Sequence, residues 1–385
     1  MALKGLTIHR VTHFAYPEVI GGIQVYCHEL SELQAKQGYN IELLTCAYGE
    51  RHGVRLNHQD DSKKYRTLRF ETVWTPWDSI GLRNPVSPSL YQYLIQKDLH
   101  LVDAHSQLFW PSILAVQAAK RKNVPSLITV HGLMAHRGLL INALQTSFVR
   151  TAGLWALRNA SRVICLTQSE AQEVIGLGIP REKVRIIPVG VDTKRFRPSP
   201  VEEGIVLWYG RFVTEKGIEY LIEAASLIAK DKLPVDFVLV GDGPLRTHMQ
   251  ALAHSTKARI RFVKPLSADL IPRMLERSMI FVLPSVREGA PRSLLEAMAS
   301  GKAIVAADTP TVREVLKGGG LLVKPRDPVS LAEGIRKLIK DPDLRTLLGN
   351  RARAIALAEY DWQRILPLFD QIYDEVHDEF ATRVV

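Results

Sequence analysis

Cysteine is scarce. Cys27, Cys46 and Cys165 are the only three, and they are scattered through apolar segments with no paired spacing. They form neither a disulfide framework nor a zinc site. No run of about 18 uncharged apolar residues occurs, which by length excludes a transmembrane helix. The start, MALKGLTIHRV, passes straight into a strand pattern without an apolar segment and small-residue cleavage site. A reducing cytoplasm is the expected location. The chain has no GxxxxGK[ST] loop, no Asp-x-Asp at a strand end, no ligand spacing among its 12 histidines, and no short repeat or low-complexity tract. A P-loop NTPase and a bound metal are therefore not expected, and neither is a cofactor.

What is present is a globular, basic chain. A hydrophobic fraction of 46% beside 23% charged residues describes a chain that packs, and 385 residues suffice for two domains. The net charge of +10 calls for nucleic acid, an anionic surface or an anionic small substrate. A nucleic-acid partner is not expected, because no recognised binding module or basic-aromatic stripe occurs. A diphosphate substrate explains the charge more simply.

Short β-branched runs alternate with helical patterns from end to end, the signature of parallel βαβ units. In the first half Leu6–Val11, Ile41–Thr45, Leu101–His105, Leu127–Val130 and Val163–Leu166 read as strands, and Ile23–Gln37 as a helix. The second half repeats the scheme. Its strands are Ile205–Tyr209, Phe237–Val240, Ile260–Val263, Met279–Leu283, Ala303–Ala306 and Leu321–Val323, with a helix over Gly217–Lys230. Between the halves, Val189–Gly204 with its prolines reads as a linker. Two such halves would place a ligand cleft at their strand C-terminal ends.

Two loops carry the chemistry. In Leu283-Pro-Ser-Val-Arg-Glu288-Gly-Ala-Pro291-Arg-Ser-Leu-Leu-Glu296, a strand ends at Pro284 and a helix opens near Pro291. Amides around Gly289–Ser293, Pro291 excepted, would be free donors at a helix N-terminus, suited to a phosphate or sugar hydroxyls. Glu288 precedes that helix and Glu296 lies inside it; alone, the pair is equally readable as capping plus a surface glutamate. The second loop, Gly210-Arg211-Phe-Val-Thr-Glu-Lys216-Gly217, leaves a βα junction with two cations suited to a diphosphate. Alone it reads as a solvated basic loop, and the two loops together favour a site.

The pattern Gly-Arg-x4-Lys-Gly, then Val240-Gly-Asp-Gly-Pro244, then Pro284-Ser…Glu-Gly-x-Pro…Leu-Leu-Glu-Ala-Met-Ala, resembles the retaining family 4 glycosyltransferases (glycosyl transferases group 1) of the GT-B fold. Gly21-Gly22, Thr129-Val-His131-Gly132, Ile186-Ile-Pro-Val-Gly-Val-Asp192 and Tyr360-Asp-Trp362 extend the likeness to nearly the whole chain. The resemblance implies two Rossmann-like α/β domains facing a central cleft. Residues 1–188 would form the acceptor domain, 189–204 the linker and 205–361 the donor domain, with 362–385 a helix crossing back to the first domain. It implies a UDP-, GDP- or ADP-sugar donor and a sugar, polysaccharide or lipid-linked acceptor, with configuration retained and no metal. Arg211 and Lys216 would hold the diphosphate, Glu296 the ribose, and Glu288 the transferred sugar with the amides of Gly289, Ala290 and Arg292. Gly210, Pro291, Ser293 and Leu295 would complete the donor set. Gly22 would admit the phosphate or acceptor closely, and His131 would touch the sugar. Gly22 is equally readable as a plain loop glycine, and His131 as a structural hydrogen-bonder. The chain departs from the family pattern at Val189, where asparagine is usual, and at Lys264-Pro265, which leaves the base open.

Met134–Arg158 is amphipathic and basic. It reads as a domain helix packing on its sheet, with peripheral docking on an anionic inner membrane face as the alternative. Trp74–Gly81 fits either an acceptor wall or a core edge. The competing functions are a nucleotide-sugar 2-epimerase, which would need further carboxylates, and a non-catalytic sugar-binding scaffold, which would not need both cations and both glutamates.

Overall fold

A computed structural model describes residues 5–17, 21–47, 59–60, 64–73, 84–133, 139–199 and 203–384. The chain packs as two units: Met1–Pro188 with Leu366–Val385, and Val189–Ile365. Each is built on one sheet with helices between its strands.

The first unit carries β1 (Thr7–Val11), β2 (Asn40–Cys46), β3 (Gln59–Asp60), β4 (Arg66–Phe70), β5 (Leu101–His105), β6 (Ser126–Thr129), β7 (Arg162–Cys165) and β8 (Val184–Ile186). Their order is β3-β4-β2-β1-β5-β6-β7-β8, parallel throughout except for β3 against β4. Central strands covered on both faces need apolar side chains on both, and Val11, Leu44, Val102, Ala104, Ile128 and Val163 are all fully buried. The helix Trp110–Lys122 presents Ala115, Val116, Ala118 and Ala119 to that core, small residues that let it lie close to β5 and β6. The helix Gly22–Lys36 buries Tyr26, Cys27, Leu30, Ser31 and Gln34. All three cysteines are buried and free.

The second unit carries β9 (Ile205–Tyr209), β10 (Asp236–Val240), β11 (Ile260–Val263), β12 (Ile280–Leu283), β13 (Ala303–Ala307) and β14 (Leu321–Val323) in the all-parallel order β11-β10-β9-β12-β13-β14. This is the doubly wound Rossmann order, with its topological switch between β9 and β12. The helix Ile218–Ala229 places Ile218, Leu221, Ile222, Ala225 and Ile228 in the core.

Two expectations are corrected, and the last helix returns to the first unit as expected with a shifted boundary. The described part of Val189–Gly204 is no free linker but belongs to the second unit. Val189, Val191 and Phe196 are buried, Val191 donates its amide to the Tyr360 carbonyl at 2.7 Å, and Trp362 donates back to the Val191 carbonyl at 3.3 Å. The last helix, Trp362–Val384, starts in the second unit and joins the first from Leu366 onward. There Phe369, Ile372, Tyr373 and Val376 are buried, and Glu375 takes the Arg162 guanidinium at 2.8 Å. Met134–Arg158 is not one helix: among its described residues, Leu139–Phe148 and Leu154–Asn159 flank a π-turn over Val149–Gly153. Phe148 stands edge-on to Trp110 and Trp155 packs on the same core, as a domain helix would. Trp74–Gly81 lies outside the described residues. Among the described residues, no helix is long and apolar enough to cross a membrane.

Candidate functional site

A parallel sheet leaves an open crevice where the connections from two adjacent strands diverge to opposite faces. In the second unit those strands are β9 and β12, and both loops singled out in the sequence leave their C-terminal ends. The β9 loop runs Gly210–Gly217 and the β12 loop runs Pro284–Pro291.

Backbone contacts press the loops into place. Gly210 donates to the Val240 carbonyl at 3.0 Å, and Phe212, wholly buried, donates to the Asp242 carbonyl at 2.8 Å. Gly241 sits at φ +139°, and a Cβ there would run into the Gly210 carbonyl oxygen. The Val240–Pro244 segment is thus glycine-rich because it lies against the β9 loop. Val286 donates to the Glu215 carbonyl at 2.9 Å. Gly217, at φ +60°, packs so closely on the Pro284 carbonyl that a Cβ would overlap it.

This interlock brings Lys216 to Glu288. The ammonium lies 2.7 Å from Oε1 and 2.8 Å from Oε2, a bidentate pair formed across 72 residues. The Lys216 side chain remains 26% exposed, whereas that of Glu288 is only 5% exposed. The lysine keeps one side open, while the carboxylate is almost wholly covered. Arg211 stands apart: it is exposed, and its side chain has no hydrogen bond or ion pair among the described residues.

The helix Arg292–Ala299 opens on Pro291, which occupies the cap rather than the first helical position. Arg292 donates Nε to Glu296 Oε1 at 2.8 Å, and the Tyr209 hydroxyl donates to Glu296 Oε2 at 2.6 Å. Glu296 is 6% exposed. Burial, reinforced by the Glu296 carboxylate, pushes the Tyr209 phenol well above its ordinary range, so it remains a donor at neutral pH. Tyr209 was missed in the sequence. Its one signal is a hydroxyl-bearing aromatic ending an otherwise apolar strand next to Gly210-Arg211. One amide differs from expectation: Arg292 already donates to the Ala290 carbonyl at 2.9 Å. Leu295 is buried, and its amide makes the ordinary helical bond to the Pro291 carbonyl at 3.2 Å. Gly289, Ala290 and Ser293 lie partly exposed at the helix start.

Gly22 and His131 belong to the first unit. Gly22 opens its helix after the β1 loop, and a Cβ there would meet nothing within 4 Å. Packing within the unit does not require glycine at that position. His131 follows β6, half-buried; its Nε2 lies 3.2 Å from His105 Nδ1, and the Tyr26 ring stands edge-on at 5.4 Å. Burial, then the neighbouring His105 and His13, holds His131 well below the usual histidine range. Glu170 anchors the turn by accepting from the Gly132 amide at 2.6 Å. Among the described residues, no three His, Cys, Asp or Glu side chains converge as metal ligands would.

Comparison with known proteins covers both units. The profile of the family described as Glycosyltransferase Family 4 matches residues 20–195, and that of Glycosyl transferases group 1 matches residues 192–355. An alpha-D-kanosaminyltransferase of Streptomyces kanamyceticus is 27% identical over 298 residues, spanning 72% of this chain and 76% of that protein. Among solved structures, the sucrose-phosphate synthase from Thermosynechococcus elongatus superposes with a TM-score of 0.81 at 21% identity, covering 97% of this chain and 100% of that one. The Anabaena protein HepE (Alr3699), in complex with UDP and glucose, superposes with a TM-score of 0.71 at 19% identity, covering 98% and 99%.

Proposed function

Since the chain belongs to the family 4 glycosyltransferases of the GT-B fold, we propose that it moves a hexose from a nucleoside-diphosphate sugar to a carbohydrate or lipid-linked acceptor, with retention of configuration and without a metal ion. The observation that carries this reading is the Lys216 ammonium seated on Glu288 at the switch-point crevice of the second unit. An ammonium fixed by a buried carboxylate, with one side open, suits an incoming diphosphate, and Arg211 supplies a second, exposed cation. The UDP and glucose held by HepE fall within the UDP-, GDP- and ADP-sugar class proposed here as donor.

Glu296 takes the ribose. Arg292 donates to one Glu296 carboxylate oxygen and Tyr209 to the other, which fixes the carboxylate in one orientation toward the ribose hydroxyls. Glu288 accepts from hydroxyls of the transferred sugar while it holds Lys216, and Gly289 and Ala290 offer their amides beside it. Gly22, with open space where a Cβ would be, admits the phosphate or the acceptor, and His131 meets the sugar as a neutral imidazole.

The acceptor hydroxyl attacks the anomeric carbon on the face from which the diphosphate departs. The bond from that carbon to the phosphate oxygen breaks, the new glycosidic bond forms, and the acceptor proton passes to the departing phosphate. Arg211 and Lys216 stabilise the charge that develops there, as preorganised donors do. No side chain of this chain is assigned as the base. An expected requirement is that nucleoside diphosphate is released from one preferred UDP-, GDP- or ADP-sugar at the same rate with and without EDTA. Loss of release in EDTA, restored by Mg²⁺, would overturn the metal-free part of the reading. No release from any donor in the presence of a broad acceptor mixture would overturn the transfer itself.

A further inference from the structure

A buried polar chain in the first unit ends at His131. Asp103, the third residue of β5, is fully buried, and its Oδ2 takes the Arg10 guanidinium at 2.9 Å. Arg10 also donates to Ser31 Oγ at 2.8 Å and Gln34 Oε1 at 2.6 Å, and Gln34 donates to the Tyr373 hydroxyl of the last helix at 3.0 Å. The guanidinium is therefore fixed by both the first and the last helix of the unit. Two residues along β5, His105 is fully buried with Nε2 at 3.5 Å from Asp103 Oδ2, an ion-pair contact. Its other nitrogen, Nδ1, lies 3.2 Å from His131 Nε2. Tyr26 stands edge-on to both rings, at 5.7 and 5.4 Å, and limits how either can turn.

We propose that His105 is a positioning residue for His131: it donates Nδ1–H to His131 Nε2, so that the His131 ring carries its own proton on Nδ1 and offers it to the transferred sugar. The inference rests on the reading of His131 as a sugar contact. Only one of two nitrogens sharing a hydrogen bond can hold the proton, so the donor on His105 dictates the tautomer of His131. With a fully buried carboxylate 3.5 Å from its Nε2, His105 is held as the imidazolium, which carries an N–H on both nitrogens and so donates from Nδ1. Burial works against a charged imidazole, but Cys27 and the Asp103 carboxylate outweigh it and hold His105 up at about 9. Asp103, in turn, is raised by burial but drawn down to about 2 by His105 and Arg10. The groups that act on His131 are His105, His13, Asp103 and the Tyr26 ring, with Glu170 on the adjoining turn. A neutral His105 would reverse the arrangement: with its proton on Nε2 toward Asp103, it would accept from His131 and leave His131 Nδ1 bare.

The test is nitrogen-15 NMR of the full chain labelled at histidine, with the His131 ring assigned by its disappearance in His131→Gln. The expected spectrum has His131 protonated on Nδ1 and bare on Nε2 at neutral pH. His105→Leu should redistribute that tautomer, cut kcat by about 10–100-fold, the range lost when the partner orienting a histidine is removed, and move the acid limb of the kcat profile to higher pH. That direction follows because loss of a neighbouring cation favours protonation. His105→Asn places an amide N–H where Nδ1 was, and should hold kcat at pH 8 within about threefold of wild type if a single donor is what matters. It also serves where the leucine variant fails to fold. Protonation of His131 on Nε2 in the wild-type chain, or an unchanged tautomer in a folded His105→Leu, would overturn the proposal whatever the activity. The expected tautomers with unchanged kcat in His105→Leu would instead uphold the positioning and remove His131 from the transfer step, so the two readings fail separately.

Discussion

Lys216 and Tyr209 stand at the same crevice and differ in what each would lose. Lys216→Ala removes one of two cations proposed to face the leaving diphosphate, and frees a Glu288 carboxylate that is 5% exposed. Losing one preorganised charge-stabilising donor costs about 10²–10³ in kcat, and the bare carboxylate beside the phosphate adds to the loss. Steady-state kinetics with the preferred donor checks this; a kcat within a few-fold of wild type would take Lys216 out of the transfer step. Tyr209→Phe acts more gently. It deletes the hydroxyl that donates to Glu296 Oε2 at 2.6 Å but keeps the ring against Phe281. A hydrogen bond to a charged group is worth about 1.5–3 kcal/mol, and Arg292 still holds the other oxygen. Donor KM should therefore rise by about tenfold with kcat little changed, because the ribose is held alike in ground and transition states. A fall in kcat at unchanged KM would place Tyr209 nearer the reacting bond than the ribose.

Among elements, the β9 loop illustrates what a sequence does and does not disclose. Its start and end were legible, because an apolar run stops at Gly210 and a helical pattern begins after Gly217. The β12 loop was legible for the same reason, with Pro284 and Pro291 marking its limits. The joining of the two was not: nothing local in either stretch ties Lys216 to a carboxylate 72 residues away, and the partnership follows from β9 and β12 being neighbours in the sheet. Central strands were visible because both faces are covered. β4 was missed because Arg66–Phe70 inverts the usual pattern, with Thr67 and Arg69 buried and Leu68 only partly so. β8 was missed because it is three residues long at the sheet edge, with Ile186 exposed. The interlock of the two site loops makes its own prediction. Gly217→Ala puts a Cβ into the Pro284 carbonyl at a left-handed φ, a strain of roughly 1–3 kcal/mol. Part of it should be relieved by the loop withdrawing and pulling Lys216 from Glu288. The expected result is a lowered Tm together with a kcat reduced by at least about tenfold, a loss that grows as the lysine is displaced by as little as about 1 Å. A variant that lost stability but kept full kcat would show that the interlock is not what seats the lysine.

For the whole molecule, the last helix is covalently an extension of the second unit and by packing a part of the first. It begins at Trp362, yet from Leu366 onward it belongs with Met1–Pro188. Phe369, Ile372, Tyr373 and Val376 are each 3% exposed or less, and burying such side chains stabilises by about 1.5–3 kcal/mol each, roughly 6–12 kcal/mol for the four. Tyr373 adds its contact with Gln34 and, through it, with Arg10 and the buried Asp103. That sum rivals the 5–15 kcal/mol by which a domain is ordinarily stable, so the first unit should not survive without the helix. The second unit retains its whole sheet and the contact of Val191 with Tyr360 when the chain stops at Ile365. Hydrogen exchange read by mass spectrometry on a chain ended there should show amides of β1, β2, β5 and β6 exchanging rapidly. Those of β9, β10, β12 and β13 should keep protection close to the full-length values. Nucleoside diphosphate should still bind the truncated chain, since Arg211, Lys216 and Glu296 all lie in the surviving unit, while transfer should be abolished. Equal loss of protection in both sheets would mean that the units do not hold their folds separately; equal retention would mean that the four buried side chains matter far less than their area implies.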